Sequence, residues 1–240
     1  MDRERLFEKF LEECKNRNEW CGQGNPNAHI LIIGKESYNK DLITNPIILQ
    51  EKLQCQYELC QSGDFGNAKR NKNPTWSNYQ LLIEKVYGPQ IEFNPELFDF
   101  EKYAFTTELS SIPRKNSNYT EAKSSIKDRL LFFEKSEFIK PFPVIILACG
   151  GYIRNNDKVR EIDDTFHVTF SKRYEKKGIW FCTHYDDINA PKKLVIHTWQ
   201  FSLRCTKRED REWLINEMAS VIRDHLDHLK NLEKYDTAKI

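Results

Sequence analysis

Residues Ile30-Leu-Ile-Ile-Gly34, followed at once by Lys35-Glu36-Ser37-Tyr38-Asn39, decide how the rest of the chain is read. From Ala28 to Ile33 the run is apolar apart from His29 and does not alternate, the pattern of a strand buried on both faces. Such strands sit in the middle of parallel sheets. The run stops on Gly34 and delivers an acid, Glu36, just past its carboxyl end. Leu194-Val-Ile-His-Thr-Trp-Gln-Phe-Ser202 has the same form, a short apolar strand ending in a polar cluster that contains His197. In open α/β sheets the ligand crevice lies outside the carboxyl ends of the strands, so the two segments are expected to converge on one site.

Working outward, Leu6, Phe7, Phe10, Leu11 and Cys14 fall on one helical face, which predicts an amphipathic helix over 3–17. Turn chemistry fills 18–27. Helices are expected over 47–59, over 74–87 with Ser77 as a cap, within 118–138, and over 210–232. Strands are expected at Tyr103–Glu108, Pro143–Cys149 (stopped by Gly150 and Gly151), Ile179–His184 and Val195–Trp199, with a short edge strand at Val168–Phe170. Strands alternating with helices imply a single α/β domain over 1–240, a three-layer α/β/α sandwich around a mainly parallel sheet.

The chain has 240 residues, 39% of them apolar and 30% charged, a globular balance rather than a disordered one. Its net charge is only +1, so contact with nucleic acid would have to come from local patches. Lys69, Arg70 and Lys72 read as a solvated loop. The opening residues lack the hydrophobic core of a signal peptide, and the apolar run near 143–149 is too short to span a bilayer. A cytoplasmic, monomeric protein without a membrane partner is expected. Seven cysteines with no C-x-x-C pair argue for free thiols in or near the core, and against a zinc or iron–sulfur site.

There is no phosphate-binding G-x-x-x-x-G-K-[ST] loop, no G-x-G-x-x-G after a strand and no G-x-S-x-G elbow. Triphosphate, dinucleotide and serine-hydrolase chemistries therefore have no anchor. What the strand ends offer is an acid and a histidine, with Thr106, Thr107, Glu108, Gly150, Gly151 and Ser202. A carboxylate that orients water or stabilises a cation, opposite an imidazole that stabilises a departing anion, suits hydrolysis of a C–N glycosidic bond without metal or cofactor.

The motif G-K-E-S-Y-N (34 to 39) after a strand resembles the first motif of the uracil-DNA glycosylase superfamily, best known as G-Q-D-P-Y-H. H-T-W-Q-F-S (197 to 202) resembles its second motif, H-P-S-P-L-S, and the intervening YAFTTELSSIP and PVIILACGG follow the order of that fold. The resemblance spans roughly residues 28–205 in arrangement. It implies a uracil-DNA glycosylase-like fold, with Glu36 positioning the attacking water or stabilising the sugar cation and His197 bonding the leaving base. It implies Tyr38 in the base pocket, Ser202 on a backbone phosphate, and Phe201 as a wedge pushed into the duplex. Trp76 is the candidate for stacking on the flipped base. Thr107 stands where uracil-reading members place an asparagine, and a hydroxyl does not reproduce an amide's paired donor and acceptor. Uracil is therefore one candidate beside other damaged or modified pyrimidines, including modified bases of phage DNA.

Ser37, the backbone N–H groups of Gly150 and Gly151, and the cations Arg204 and Lys207 complete the expected contacts to DNA, single- or double-stranded. Each residue also has a bland role open to it. Glu36 can simply accept hydrogen bonds at a helix start, His197 can be a satisfied core histidine, Tyr38, Trp76 and Phe201 can be core aromatics, and the glycines can merely end a strand. The expected activity is that of a monofunctional glycosylase acting in repair or phage defence and leaving an abasic site. The alternatives are an inactive member of the fold that binds nucleic acid or protein, and a hydrolase of free nucleosides.

Overall fold

The computed structural model describes residues 2–35, 46–88, 90–110, 119–202 and 207–237. In chain order the helices are α1 (Arg3–Arg17), α2 (Pro46–Ser62), α3 (Pro74–Tyr87), α4 (Tyr119–Lys135), α5 (Glu161–Phe166) and α6 (Arg208–Thr237). The strands are β1 (Gln23–Gly24), β2 (Ile30–Gly34), β3 (Ala68–Lys69), β4 (Leu97–Phe98), β5 (Ala104–Glu108), β6 (Val144–Leu147), β7 (Asn155–Asn156), β8 (Val159–Arg160), β9 (Thr169–Lys176), β10 (Ile179–Tyr185) and β11 (Leu194–Thr198).

Seven strands form one mixed sheet in the order β1-β5-β2-β6-β11-β10-β9. The middle four, β5, β2, β6 and β11, are mutually parallel, and β1, β10 and β9 add antiparallel edges. The chain lays down β2, then β5 on one side of it, then crosses back to place β6 on the other. The strand order therefore reverses between β2 and β6, and such a switch point opens a crevice at the carboxyl ends of those two strands.

Alternate residues of the parallel strands feed two cores. Leu31, Ile33, Phe105, Ile145, Leu147 and Val195 meet Phe7, Phe10, Leu11, Leu53, Tyr57 and Phe133 from α1, α2 and α4. Ile30, Ile32, Val144, Ile146 and Ile196 meet Leu82, Ile83, Leu214, Met218 and Ile222 from α3 and α6 on the other face. Helices thus cover both faces, which is why β2 and β6 read as continuous apolar runs.

Two expectations change. The cap of α3 is Asn73, whose Oδ1 accepts from the N–H groups of Thr75 (3.0 Å) and Trp76 (3.3 Å), whereas Ser77 lies inside the helix and donates to the Asn73 carbonyl. The edge strand is not a stub at 168–170 but the eight residues of β9. Its Thr-Phe-Ser-Lys-Arg-Tyr-Glu-Lys sequence is exposed on both faces, apart from half-buried Tyr174, and so carries no apolar alternation to reveal it. The β9–β10 connection is a two-residue turn, Lys177-Gly178, with φ of 50° and 79°. Two consecutive positive φ values match the right-handed twist of the flanking strands, and Gly178 adopts its value without a Cβ clash.

Among the described residues Cys14, Cys21, Cys60, Cys149 and Cys182 are buried free thiols and Cys55 is an exposed one. None of the described helices is long and apolar enough to cross a membrane.

Candidate functional site

The candidate site lies at the switch point. β2 ends at Gly34, whose carbonyl accepts from Leu109 N–H at 2.9 Å, and the next carbonyl, of Lys35, accepts from Ser110 N–H at 2.7 Å. These bonds continue the β2–β5 pairing past the end of the ladder and fix where the chain leaves the sheet. On the other side of the switch point Ala148 N–H donates to the Ile33 carbonyl at 2.8 Å. Gly34 has a packing role as well: a Cβ there would stand 3.3 Å from the Tyr79 hydroxyl.

Beyond β6 the chain turns through Cys149 and Gly150, and Gly150 adopts φ +54°, a left-handed conformation that disfavours any residue with a Cβ. A Cβ on Gly150 would lie 3.8 Å from Lys35 Cε and 4.0 Å from the Gln200 nitrogen. The segments after β2, β6 and β11 therefore converge within van der Waals reach of one backbone atom. The Lys35 ammonium lies 4.7 Å from the Tyr152 ring centroid, which places a cation at the mouth of the crevice.

His197, near the end of β11, is 7% exposed. Its Nε2 lies 2.8 Å from the Gly150 carbonyl oxygen, and because a carbonyl can only accept, Nε2 carries the proton. Burial pushes the imidazole pKa down to about 4; the bond to Gly150 opposes the shift, and repulsion from His184, when it is protonated, and from the Arg173 guanidinium adds to it. At neutral pH the ring is therefore neutral. It supplies a directed N–H donor rather than a positive charge.

No protein-family model matches the chain, and no curated protein matches it in sequence.

The residues predicted from sequence fare differently. Glu36, Ser37, Tyr38 and Arg204 lie outside the described residues. His197, Gly150 and Gly151 come together, with Gly151 exposed and nothing within 4 Å of where its Cβ would be. Ser202 is half-buried in the turn after β11, and Lys207 is exposed just before α6.

Phe201 is not placed as a wedge. Its ring is fully buried 5.3 Å from Tyr79, and its carbonyl accepts from Asn78 Nδ2 at 2.6 Å, so it anchors the turn to α3 instead of projecting from it. Trp76 is not a free stacking surface either, because its ring packs edge-on against Phe98 and Phe100 at 5.5 and 5.7 Å in the α3 layer. Thr107 shares the His197 face of the sheet, but Ile33 and Leu147 stand between them, three strand spacings or about 14 Å in all. That gap exceeds a pyrimidine ring. The Thr107 hydroxyl is also committed, donating to the Cys21 carbonyl at 3.1 Å and accepting from Arg129 at 3.2 Å, so it does not read a base.

Three features went unread in the sequence. Arg129 is fully buried; it pairs with Glu19 at 2.8 Å and donates to the carbonyls of Trp20 (2.5 Å) and Glu108 (3.3 Å), so it ties α4 and the segment before β1 to the end of β5. His184 Nδ1 lies 2.8 Å from Asp163 Oδ1, and the histidine pKa is nonetheless lowered because burial outweighs the carboxylate. Trp180 packs edge-on against His197 with centroids 4.9 Å apart. The first two pairs span long sequence separations and leave no local pattern. The third follows from strand register, which single-strand periodicity does not fix.

Proposed function

We propose that this protein is a monofunctional DNA glycosylase that hydrolyses the bond between a flipped-out base and its deoxyribose and leaves an abasic site. The observation that carries the reading is a neutral, buried histidine whose Nε2–H is held by the Gly150 carbonyl, at the turn after β6 where Lys35, the residue before Glu36 in sequence, also approaches. In the reaction the C1′–N bond breaks with its electron pair leaving on the base, and a water oxygen bonds to C1′. Glu36, in the role its motif implies, orients that water, takes its proton and stabilises the cationic sugar. His197 turns its Nε2–H from the Gly150 carbonyl to the anionic base. A neutral donor suits that task, because it stabilises the anion without needing to be recharged between turnovers. Lys35 adds a positive charge where base or phosphate arrives. The base is a modified or damaged pyrimidine, with uracil as one candidate.

The test is mass spectrometry of bases released from unmodified, uracil-containing and heavily modified phage DNA. Glu36→Gln is expected to abolish release while DNA is still bound. His197→Ala is expected to slow release by about 10²–10³, the scale for one preorganised donor. Release at the wild-type rate from both variants would refute the assignment.

A further inference from the structure

β2, β6 and β11 send their carboxyl ends toward the crevice, and their amino ends border a second cavity, of about 520 Å³, on the opposite rim of the sheet. Ala28 and His29 precede β2, Pro143 precedes β6 and Lys192 precedes β11. Val144 N–H donates to the His29 carbonyl at 3.2 Å, and the Pro143 carbonyl accepts from Leu194 N–H at 2.8 Å and from His225 Nε2 at 3.2 Å, so these carbonyls are already bonded within the protein. Leu226, Leu229 and Leu232 of α6 line the cavity, as does Arg3, the first residue of α1. A concave space of this size, lined mostly by apolar side chains with a few polar groups, has the usual form of a small-molecule site.

Its charge is one-sided. None of the described residues lining it is acidic, whereas Arg3, Lys192 and Lys230 are cations. Lys230 is paired with Asp227 at 3.2 Å, but among the described residues Arg3 and Lys192 have no carboxylate partner. The Arg3 guanidinium carbon lies 4.3 Å from the Phe142 ring centroid, and its Nε donates to the Pro26 carbonyl at 2.6 Å, which holds the side chain in place. Its Nη2 is buried and finds no acceptor among the described residues. Burial lowers the guanidinium pKa, and no carboxylate opposes the shift. A desolvated cation left without a counter-charge is costly, and a bound anion offsets that cost.

We propose that this cavity binds an aliphatic carboxylate, with its head on the Arg3 guanidinium and its chain against the leucines of α6. The planar guanidinium fork matches the two carboxylate oxygens, and the exposed Lys192 adds attraction without a fixed geometry. The apolar lining is aliphatic except for Tyr87, which favours a flexible chain over a flat ring. The site lies at the far ends of the crevice strands and does not depend on the activity proposed there.

The experiment is calorimetric titration of the whole protein with octanoate, with octanol, which has the chain without the charge, and with acetate, which has the charge without the chain. Octanoate is expected to bind saturably, and octanol and acetate more weakly by about ten-fold or more, the scale of losing a hydrogen bond to a charged group or a buried chain. Arg3→Gln is expected to weaken octanoate binding by about ten-fold or more, with Arg3→Lys intermediate. Lys192→Glu changes an exposed side chain and so leaves the fold intact; it is expected to weaken octanoate binding by about ten-fold at low salt and by less at high salt. Thermal melts check that each variant is folded. No saturable binding of octanoate by the wild type, octanol bound as tightly as octanoate, or wild-type affinity in both Arg3→Gln and Lys192→Glu would overturn the proposal.

Discussion

His197 makes a pH signature that can be read without knowing the substrate. In the unfolded chain its imidazole binds a proton below the ordinary value of 6.5; in the folded protein burial delays that to about 4. Between those values the unfolded state holds more protons, so stability rises with pH across the window. The contribution is fully present above pH 6.5 and is lost as pH falls to 4. At about 1.4 kcal/mol per pKa unit it amounts to about 3 kcal/mol, a large part of the stability of an ordinary domain. The perturbation is His197→Gln, which keeps an N–H donor for the Gly150 carbonyl and removes the titration. Urea unfolding at closely spaced pH values from 7 to 4 measures the difference. His184 and His225 are also depressed by burial and add slope of the same sign, but they are present in both proteins and cancel in the comparison. The wild type is expected to lose about 3 kcal/mol more than the variant over the window. Parallel curves would show that His197 titrates alike in both states, and would remove the argument that it acts as a neutral donor.

Arg129→Met is expected to cost about 3–5 kcal/mol in chemical denaturation, because it leaves Glu19 and two carbonyls without their buried donor; a loss under 1 kcal/mol would show that the network is dispensable. Phe201→Ala is expected to lower thermal stability by about 3–5 kcal/mol, as for a fully buried ring, and to harm action on duplex and single strand alike; a defect confined to duplex without loss of stability would restore the wedge. Asn73→Ala is expected to cost about 1 kcal/mol and Ser77→Ala less, a contrast that thermal melts resolve and that reverses if Ser77 is the cap.

The central strands were legible because burial on both faces forces an unbroken apolar run: β2, β6 and β11 lie within a residue or two of where Ala28–Ile33, Pro143–Cys149 and Val195–Trp199 place them. Their carboxyl ends also locate the crevice. What escaped was whatever depends on partners far away in the chain. Phe201 and Trp199 are two residues apart in one motif, and nothing local says that Asn78 and Tyr79 capture the first while the second stays outside. Thr107 sits at a strand end as expected, yet its hydroxyl was claimed by Arg129, twenty-two positions on. β9 was hidden for the opposite reason, having no buried face to impose a pattern.

The hairpin closed by Lys177-Gly178 has a consequence for how the site is assembled in time. Its strands lie next to each other in sequence and its turn favours closure, so β9 and β10 can pair through local contacts alone, a process on the microsecond scale. The parallel strands that form the crevice need long crossovers, and such non-local pairing is slow. The hairpin and the crevice walls are thus expected to arise in separate folding steps that meet when β11 inserts between β6 and β10. His197 rides on that strand, so the histidine reaches Gly150 only as the central sheet is completed.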